Sequence, residues 1–117
     1  MKTKYYWLKI KKKFLPNKFT SSDFIELLKM QRIKIGQGTY FFGTNSIIID
    51  TQRPELLEIG EYCKITAGVK ILTHDYSRSV LRMKYGDLLG DARKTVIKNN
   101  VFIGIDTIIL PRCIYRK

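Results

Sequence analysis

The sequence predicts a mainly β chain. The expected fold is a solenoid of short parallel strands in about three coils, preceded by a short helical segment and interrupted by one long loop. Three observations carry this reading. Large aliphatic or aromatic residues recur at intervals of six from Ile35 onward. A small or branched residue stands four positions after many of them. Helical patterning is confined to the first 32 residues.

The first eighteen residues hold seven lysines, at 2, 4, 9, 11, 12, 13 and 18, and no acid. Tyr5, Tyr6, Trp7, Leu8, Ile10, Phe14 and Leu15 are interleaved with them, and Pro16-Asn17 breaks the pattern. The plain expectation is a short helix that packs its apolar side on the body and solvates its lysines. Two other readings compete with it: contact with an anionic membrane surface and contact with nucleic acid. The next stretch, FTSSDFIELLKMQR, predicts a second short helix with a wide apolar face, with Asp23 as N-cap and Glu26 completing a capping box.

From residue 33 the period changes. Ile35, Phe41, Ile47, Ile59, Ile65 and Ile71 stand at multiples of six, with Arg53 alone breaking the series. Ile97, Ile103, Ile109 and then Tyr115 resume it. Ile71 and Ile97 are 26 residues apart, which is not a multiple of six, so an insertion is predicted at about 75–95. Thr39, Cys63, Val69, Val101, Thr107 and Cys113 occupy the fourth position after the aliphatic. Neither a helix nor a simple strand yields a period of six. A triangular coil does, with one hexad per side and about eighteen residues per turn. The aliphatic fills the coil interior and the small residue fills the narrower space beside it. Glycine follows the aliphatic in Ile35-Gly36, Ile59-Gly60 and Ile103-Gly104, and is expected to permit the turn angles. The 16 isoleucines suit stacked parallel strands. The expected organisation is a basic helical segment at 1–32 and a β-solenoid at 33–117.

Composition excludes several classes. Net charge is +12, with 44% hydrophobic and 27% charged residues, so the chain is globular and not a disordered tail. No stretch approaches the ~20 apolar residues of a membrane span. The N-terminus lacks a clean apolar core and a small-residue cleavage site, so no secretory signal is expected and the location is expected to be cytoplasmic. Cys63 and Cys113 cannot form a disulfide scaffold, and with His74 as the single histidine they show no zinc spacing. Both cysteines fall on the small inward position and read as buried fillers. No Walker or Rossmann motif occurs, and Gly36, Gly38 and Gly43 read as coil corners. No helix–turn–helix, RNA-recognition or zinc motif supports nucleic acid as a partner.

The stretches IKIGQGTYFFG, LEIGEYCKITAGVKILTHDYS and VIKNNVFIGIDTIILP resemble the hexapeptide-repeat acyltransferases. They are most similar to the O-acetyltransferases of bacterial sugar and capsule pathways. The resemblance covers most of residues 33–111. It implies a left-handed parallel β-helix, usually a homotrimer with active sites between subunits. The implied reaction moves acetyl from acetyl-CoA, a co-substrate, to a hydroxyl of a sugar or nucleotide-sugar acceptor, with no metal. His74 matches the family's catalytic histidine, a base for the attacking hydroxyl. Asp75 could orient its ring or equally cap the loop turn. The backbone N–H of Ile105, after Gly104, matches the oxyanion donor. Phe102 matches an aromatic that lines the acetyl or acceptor pocket, or is simply an exposed strand residue. Asn99 and Asn100 are expected at a coil corner. Arg78, Arg82, Lys84, Arg93 and Lys94 in the insertion could meet phosphates of CoA or of the acceptor, or be solvated.

Two departures temper the resemblance. Arg112 stands where relatives prefer glycine, and Tyr115-Arg116 stands where Ile-Gly would open the next hexad. Relatives continue with further coils and a cap, so the chain is expected to be truncated at its C-terminus. That leaves a second reading in play: a non-catalytic β-helix module that oligomerises or docks through its basic N-terminus, including at the inner face of a membrane.

Overall fold

A computed structural model describes residues 2–73 and 94–111, together with the backbone of 114–115. Two helices open the chain, α1 (Lys2–Phe14) and α2 (Ser21–Met30). Ten short strands follow: β1 (Lys34–Ile35), β2 (Tyr40–Phe41), β3 (Ile48–Ile49), β4 (Leu57–Ile59), β5 (Lys64–Ile65), β6 (Lys70–Ile71), β7 (Thr95–Ile97), β8 (Phe102–Ile103), β9 (Ile108–Ile109) and β10 (Ile114–Tyr115).

Successive strands never pair with each other. Every third strand does, in parallel, giving sheets ordered β1-β4-β7-β10, β2-β5-β8 and β3-β6-β9. The chain therefore winds through three sheets in rotation, as a parallel solenoid. Its register stacks Ile35 on Ile59 on Ile97, Phe41 on Ile65 on Ile103, and Ile49 on Ile71 on Ile109. Ile59, Ile65, Ile71, Ile97 and Ile109 are at most 2% exposed, so these branched side chains fill a shared interior, joined by Phe41 and Leu57 at 1%. The small positions Thr39, Cys63, Val69 and Val101 are buried beside them. Cys63 is wholly buried, with Sγ 3.0 Å from the Lys98 carbonyl oxygen, as expected of a filler. Cys113 lies outside the described residues.

The register corrects the apparent hexad phase in the first coil. Interior positions run from Phe41 to Ile49 in eight residues, not six, and from Ile49 to Ile59 in ten. The extra two and the extra four together restore the six-fold phase, which hid both insertions. Ile47 is buried, but it is not the residue stacked on Ile71. Arg53 is not a failed interior position either; it precedes the 3-10 turn Pro54–Leu56, which absorbs the longer insertion. One coil separates Val96 from Ile114 by eighteen residues, the uninterrupted length. The step from Leu57 to Thr95 is 38, so the next coil carries a third insertion, twenty residues long.

Corner geometry separates two kinds of glycine. Left-handed φ values occur at Gly38, Tyr62 and Asn100, which share one corner, and at Gly68 and Asp106, which share another. Asn100, with φ of 61°, is the corner residue the sequence led us to expect. Gly36 and Gly60 have no such φ. Their requirement is space. A methyl on Gly60 would lie 2.4 Å from Asn99 Oδ1 and 2.7 Å from the Lys98 carbonyl carbon, and one on Gly36 would lie 2.7 Å from the Glu61 nitrogen. The Ile-Gly step is thus a close approach between coils, not a turn angle. Asn99 is not an idle corner residue, because its Oδ1 accepts from the Glu61 N–H at 2.8 Å and ties adjacent coils together.

Helix α2 closes the first coil. Phe24, Leu27 and Leu28 are buried in the same core as Ile35, Phe41 and Ile47, and the Phe24 and Phe41 rings meet edge-on at 5.1 Å. The Phe41 N–H has no earlier coil to pair with. Ser21 Oγ accepts from it at 2.9 Å, so a helix side chain satisfies a sheet edge. The N-cap of α2 is Thr20, not Asp23. Thr20 Oγ accepts from the Asp23 N–H, and the Asp23 carboxylate accepts from the Thr20 N–H, both at 3.2 Å. The capping box therefore starts three residues earlier than the sequence suggested. Glu26 pairs instead with Lys4. Among the described residues no helix is long and apolar enough to cross a membrane.

Candidate active site

The twenty-residue insertion leaves the solenoid after Thr73 and returns at Lys94. Its roots are built from strand ends. Thr73 follows β6 and is fully buried. Its hydroxyl donates to Asp50 Oδ2 at 2.7 Å and its N–H donates to the same oxygen at 3.3 Å. Asp50 follows β3 in the coil before, and its other oxygen accepts from the Gln52 N–H at 3.0 Å. On the returning side, Thr95 is also fully buried, and its hydroxyl donates to the Leu72 carbonyl at 2.9 Å. Two threonines and one aspartate thus hold both ends of the loop against the coil. Neither the Asp50–Thr73 bonds nor Thr95's role was read from the sequence. The available signal was an Asp closing the run Ile47-Ile48-Ile49, two residues before Gln52.

His74 and Asp75 lie outside the described residues, as do Arg78, Arg82, Lys84 and Arg93. Of the insertion's basic residues only Lys94 is described. It is exposed and pairs with Glu58 at 3.4 Å, so part of its charge is already met.

Phe102, Gly104 and Ile105 come together on the third coil. Phe102 leaves β8 on the outer face of its sheet, 71% exposed, in register with Lys64 and Tyr40. Ile105 is at the corner before β9 and is also 71% exposed. Among the described residues the Ile105 N–H donates to no carbonyl, whereas its neighbours Asp106 and Thr107 donate to Ala67 and Gly104. Gly104 differs from Gly36 and Gly60. A methyl there would meet Phe102 and Thr107 only at 3.9 Å, an ordinary contact. The atoms that a methyl on Gly36 or Gly60 would meet belong to the following coil, and Gly104 stands on the last described coil of its sheet.

Thr73 and Ile105 do not share a corner. Thr73 lies two residues past Ile71 and is level with Pro111, while Ile105 comes before β9, at the other end of the same sheet. The six residue steps from Ile105 to Pro111 span up to roughly 20 Å. Exposed apolar side chains line the third coil between these ends: Ile105 at 71%, Ile108 at 55% and Leu110 at 51%. Ile48, two coils away on the same outer face, is 53% exposed. Among the described residues no cluster of three or more His, Cys, Asp or Glu side chains could hold a metal ion.

No protein-family profile matches the chain, and no solved structure does. One curated protein does. The chain is 37% identical over 79 residues to "Protein CapG" of Staphylococcus aureus. The matched stretch is 68% of this chain and 45% of that protein, so the chain spans less than half the length of the relative it resembles.

Proposed function

We propose that the chain belongs to an acetyl-CoA-dependent O-acetyltransferase. In this reading it transfers acetyl to a sugar hydroxyl of a capsule or surface polysaccharide, or of its nucleotide-linked precursor. The fold would be a left-handed β-helix, and the working unit a homotrimer. The observation that carries the reading is the corner at Gly104-Ile105, where among the described residues the Ile105 N–H donates to no carbonyl and the exposed Phe102 ring stands close by. The parallel solenoid and the likeness to Protein CapG support it.

The chemistry follows from the residues. A sugar hydroxyl is a weak nucleophile at neutral pH. His74 removes its proton as the oxygen attacks the thioester carbonyl carbon. A C–O bond forms and the carbonyl π pair moves onto oxygen. The Ile105 N–H donates to that oxyanion, a donation that matters most as its charge develops. Collapse breaks the C–S bond, and the thiolate of CoA takes the proton from His74. Gly104 leaves room for the acetyl group, and Phe102 forms a wall of the pocket. Thr73, fixed by Asp50, sets where the His74 loop begins. Because Thr73 and Ile105 are at opposite ends of one sheet, a site made from His74 of one subunit and the Ile105 N–H of a neighbour fits better than one within a single chain. The apolar residues on that outer face are suited to being covered in such an assembly.

Calorimetric titration of acetyl-CoA, followed by an acceptor screen, tests this. We expect saturable binding near one CoA per subunit. We expect His74→Ala to lower turnover by about 10²- to 10⁴-fold while leaving CoA binding intact. Unchanged turnover would remove His74 from the mechanism. A folded, oligomeric sample that binds no acetyl-CoA would favour the alternative, a non-catalytic β-helix module.

A further inference from the structure

Helix α1 turns Lys11 and Lys12 toward the body and leaves Tyr6, Trp7, Ile10 and Phe14 exposed. The plain expectation was that its apolar side would pack on the body and its lysines would be solvated. Leu8 and Tyr5 do pack on the core and Lys2, Lys4, Lys9 and Lys13 are exposed, but most of its apolar residues are left uncovered. Leu8 is the only buried residue of the helix. Around it, the side facing the body carries Lys4, Lys11 and Lys12, with Tyr5. Lys11 Nζ donates to Asp23 at 2.8 Å, Lys4 pairs with Glu26, and Lys12 Nζ sits 4.9 Å from the centre of the Phe24 ring. These contacts bind α1 to α2 through polar ends and leave most of the helix's apolar surface unused.

That unused surface is continuous. At 100° per residue, Tyr6, Trp7, Ile10 and Phe14 fall within roughly 100° of arc, opposite Leu8. They are 60, 53, 49 and 68% exposed. Lys2, Lys9 and Lys13 border the stripe along one side and are all exposed. Lys13 Nζ lies 5.5 Å from the Phe14 ring centre, at the edge of the apolar zone. No acid occurs in α1.

We propose that this face of α1 lies in the interface of an anionic membrane, with the helix parallel to the surface. The chemistry of the stripe selects that occupant. A central apolar band containing Trp and Tyr, with lysines at its border, matches the boundary between acyl chains and negative headgroups. A second copy docking through the same face would bring lysine-bordered helices together, and the chain as a whole is +12. Nucleic acid would use the lysines but leave the apolar band unburied.

Trp7 is the only tryptophan, so its emission reports on this face directly. The experiment adds vesicles of phosphatidylcholine mixed with phosphatidylglycerol to the whole chain, with pure phosphatidylcholine vesicles and duplex DNA in parallel, and follows Trp7 emission and vesicle flotation. We expect a blue shift and flotation with the anionic vesicles alone. Ile10→Ser/Phe14→Ser keeps the reporter and should weaken partitioning about tenfold or more. Each of Lys2→Gln, Lys9→Gln and Lys13→Gln should weaken it roughly fivefold at low salt. Three results would overturn the proposal: no shift with anionic vesicles; DNA binding without vesicle binding; or Trp7 emission that is blue-shifted before lipid is added and moves to the red on dilution, which would mean a second copy covers the face. The readout is independent of acetyl transfer, so it stands or falls separately from the proposed activity.

Discussion

Replacing Asp50 tests whether the root of the insertion is held as the structure indicates. Asp50 Oδ2 accepts two bonds from Thr73, at 2.7 and 3.3 Å, and Thr73 has no exposed surface. Hydrogen bonds to a charged group each contribute about 1.5–3 kcal/mol, and a buried donor left without a partner carries its own desolvation cost. Asp50 is itself half-buried, which moderates the gain. We therefore expect Asp50→Ala to destabilise the chain by about 2–4 kcal/mol, or on the order of 10 °C in melting temperature at this size. Asp50→Asn keeps the shape but turns one acceptor into a donor, so it should cost about half as much. A double-mutant cycle with Thr73→Val isolates the pair, and we expect a coupling of about 1 kcal/mol or more. If the proposed mechanism holds, Asp50→Ala should also lower turnover at temperatures well below its melting point, because Thr73 immediately precedes His74. Thermal unfolding followed by circular dichroism gives the stability terms. An Asp50→Ala protein that melts within a degree of the parent, with no coupling to Thr73, would refute the reasoning that these bonds hold the loop root.

Other outcomes follow from single contacts. Gly60→Ala forces a methyl to within 2.4–2.8 Å of Asn99 and of backbone atoms at 98 and 99, which cannot swing aside, so it should cost several kcal/mol or abolish folding, as in the about 1–3 kcal/mol or more of overpacking. Gly104→Ala should lower acetyl transfer if the Ile105 corner is the oxyanion site, and unchanged turnover in that variant would count against the assignment. Ile65→Ala removes a fully buried interior residue of the middle coil and should cost about 2–5 kcal/mol by chemical denaturation. Bonding to Lys11, aided by Thr20, holds the Asp23 carboxyl below the usual carboxylate range, against a smaller opposing effect of burial. A depressed carboxyl stabilises the fold above its unfolded value and loses that contribution as pH falls through the folded one. The stability gap between the parent and Asp23→Asn should therefore be full at neutral pH and shrink on acidification below the ordinary carboxylate range. A gap that stays constant down to the lowest pH at which the fold survives would show that the ionised form carries none of it.

The period of six was legible because each side of the coil sends one large side chain inward, and that regularity is written one residue at a time. Ile59, Ile65, Ile71, Ile97, Ile103 and Ile109 stack as their spacing implied, and the gap between Ile71 and Ile97 contains the insertion. The corner at Asn100 and the filler at Cys63 were equally readable, since each follows from a local preference of backbone angle or volume. Three things were decided only in three dimensions. The two insertions of the first coil cancelled in sequence, so only strand register showed that Ile49, not Ile47, stacks on Ile71. Asp50 meets Thr73 across 23 residues, and no local pattern encodes such a pair. The orientation of α1 was undetermined because its lysines and aromatics alternate around the helix. Which side faces inward depends on what α2 offers it, and α2 offers Asp23, Glu26 and the face of Phe24. A sequence states which residues are apolar or charged; which neighbour covers each of them is decided by packing.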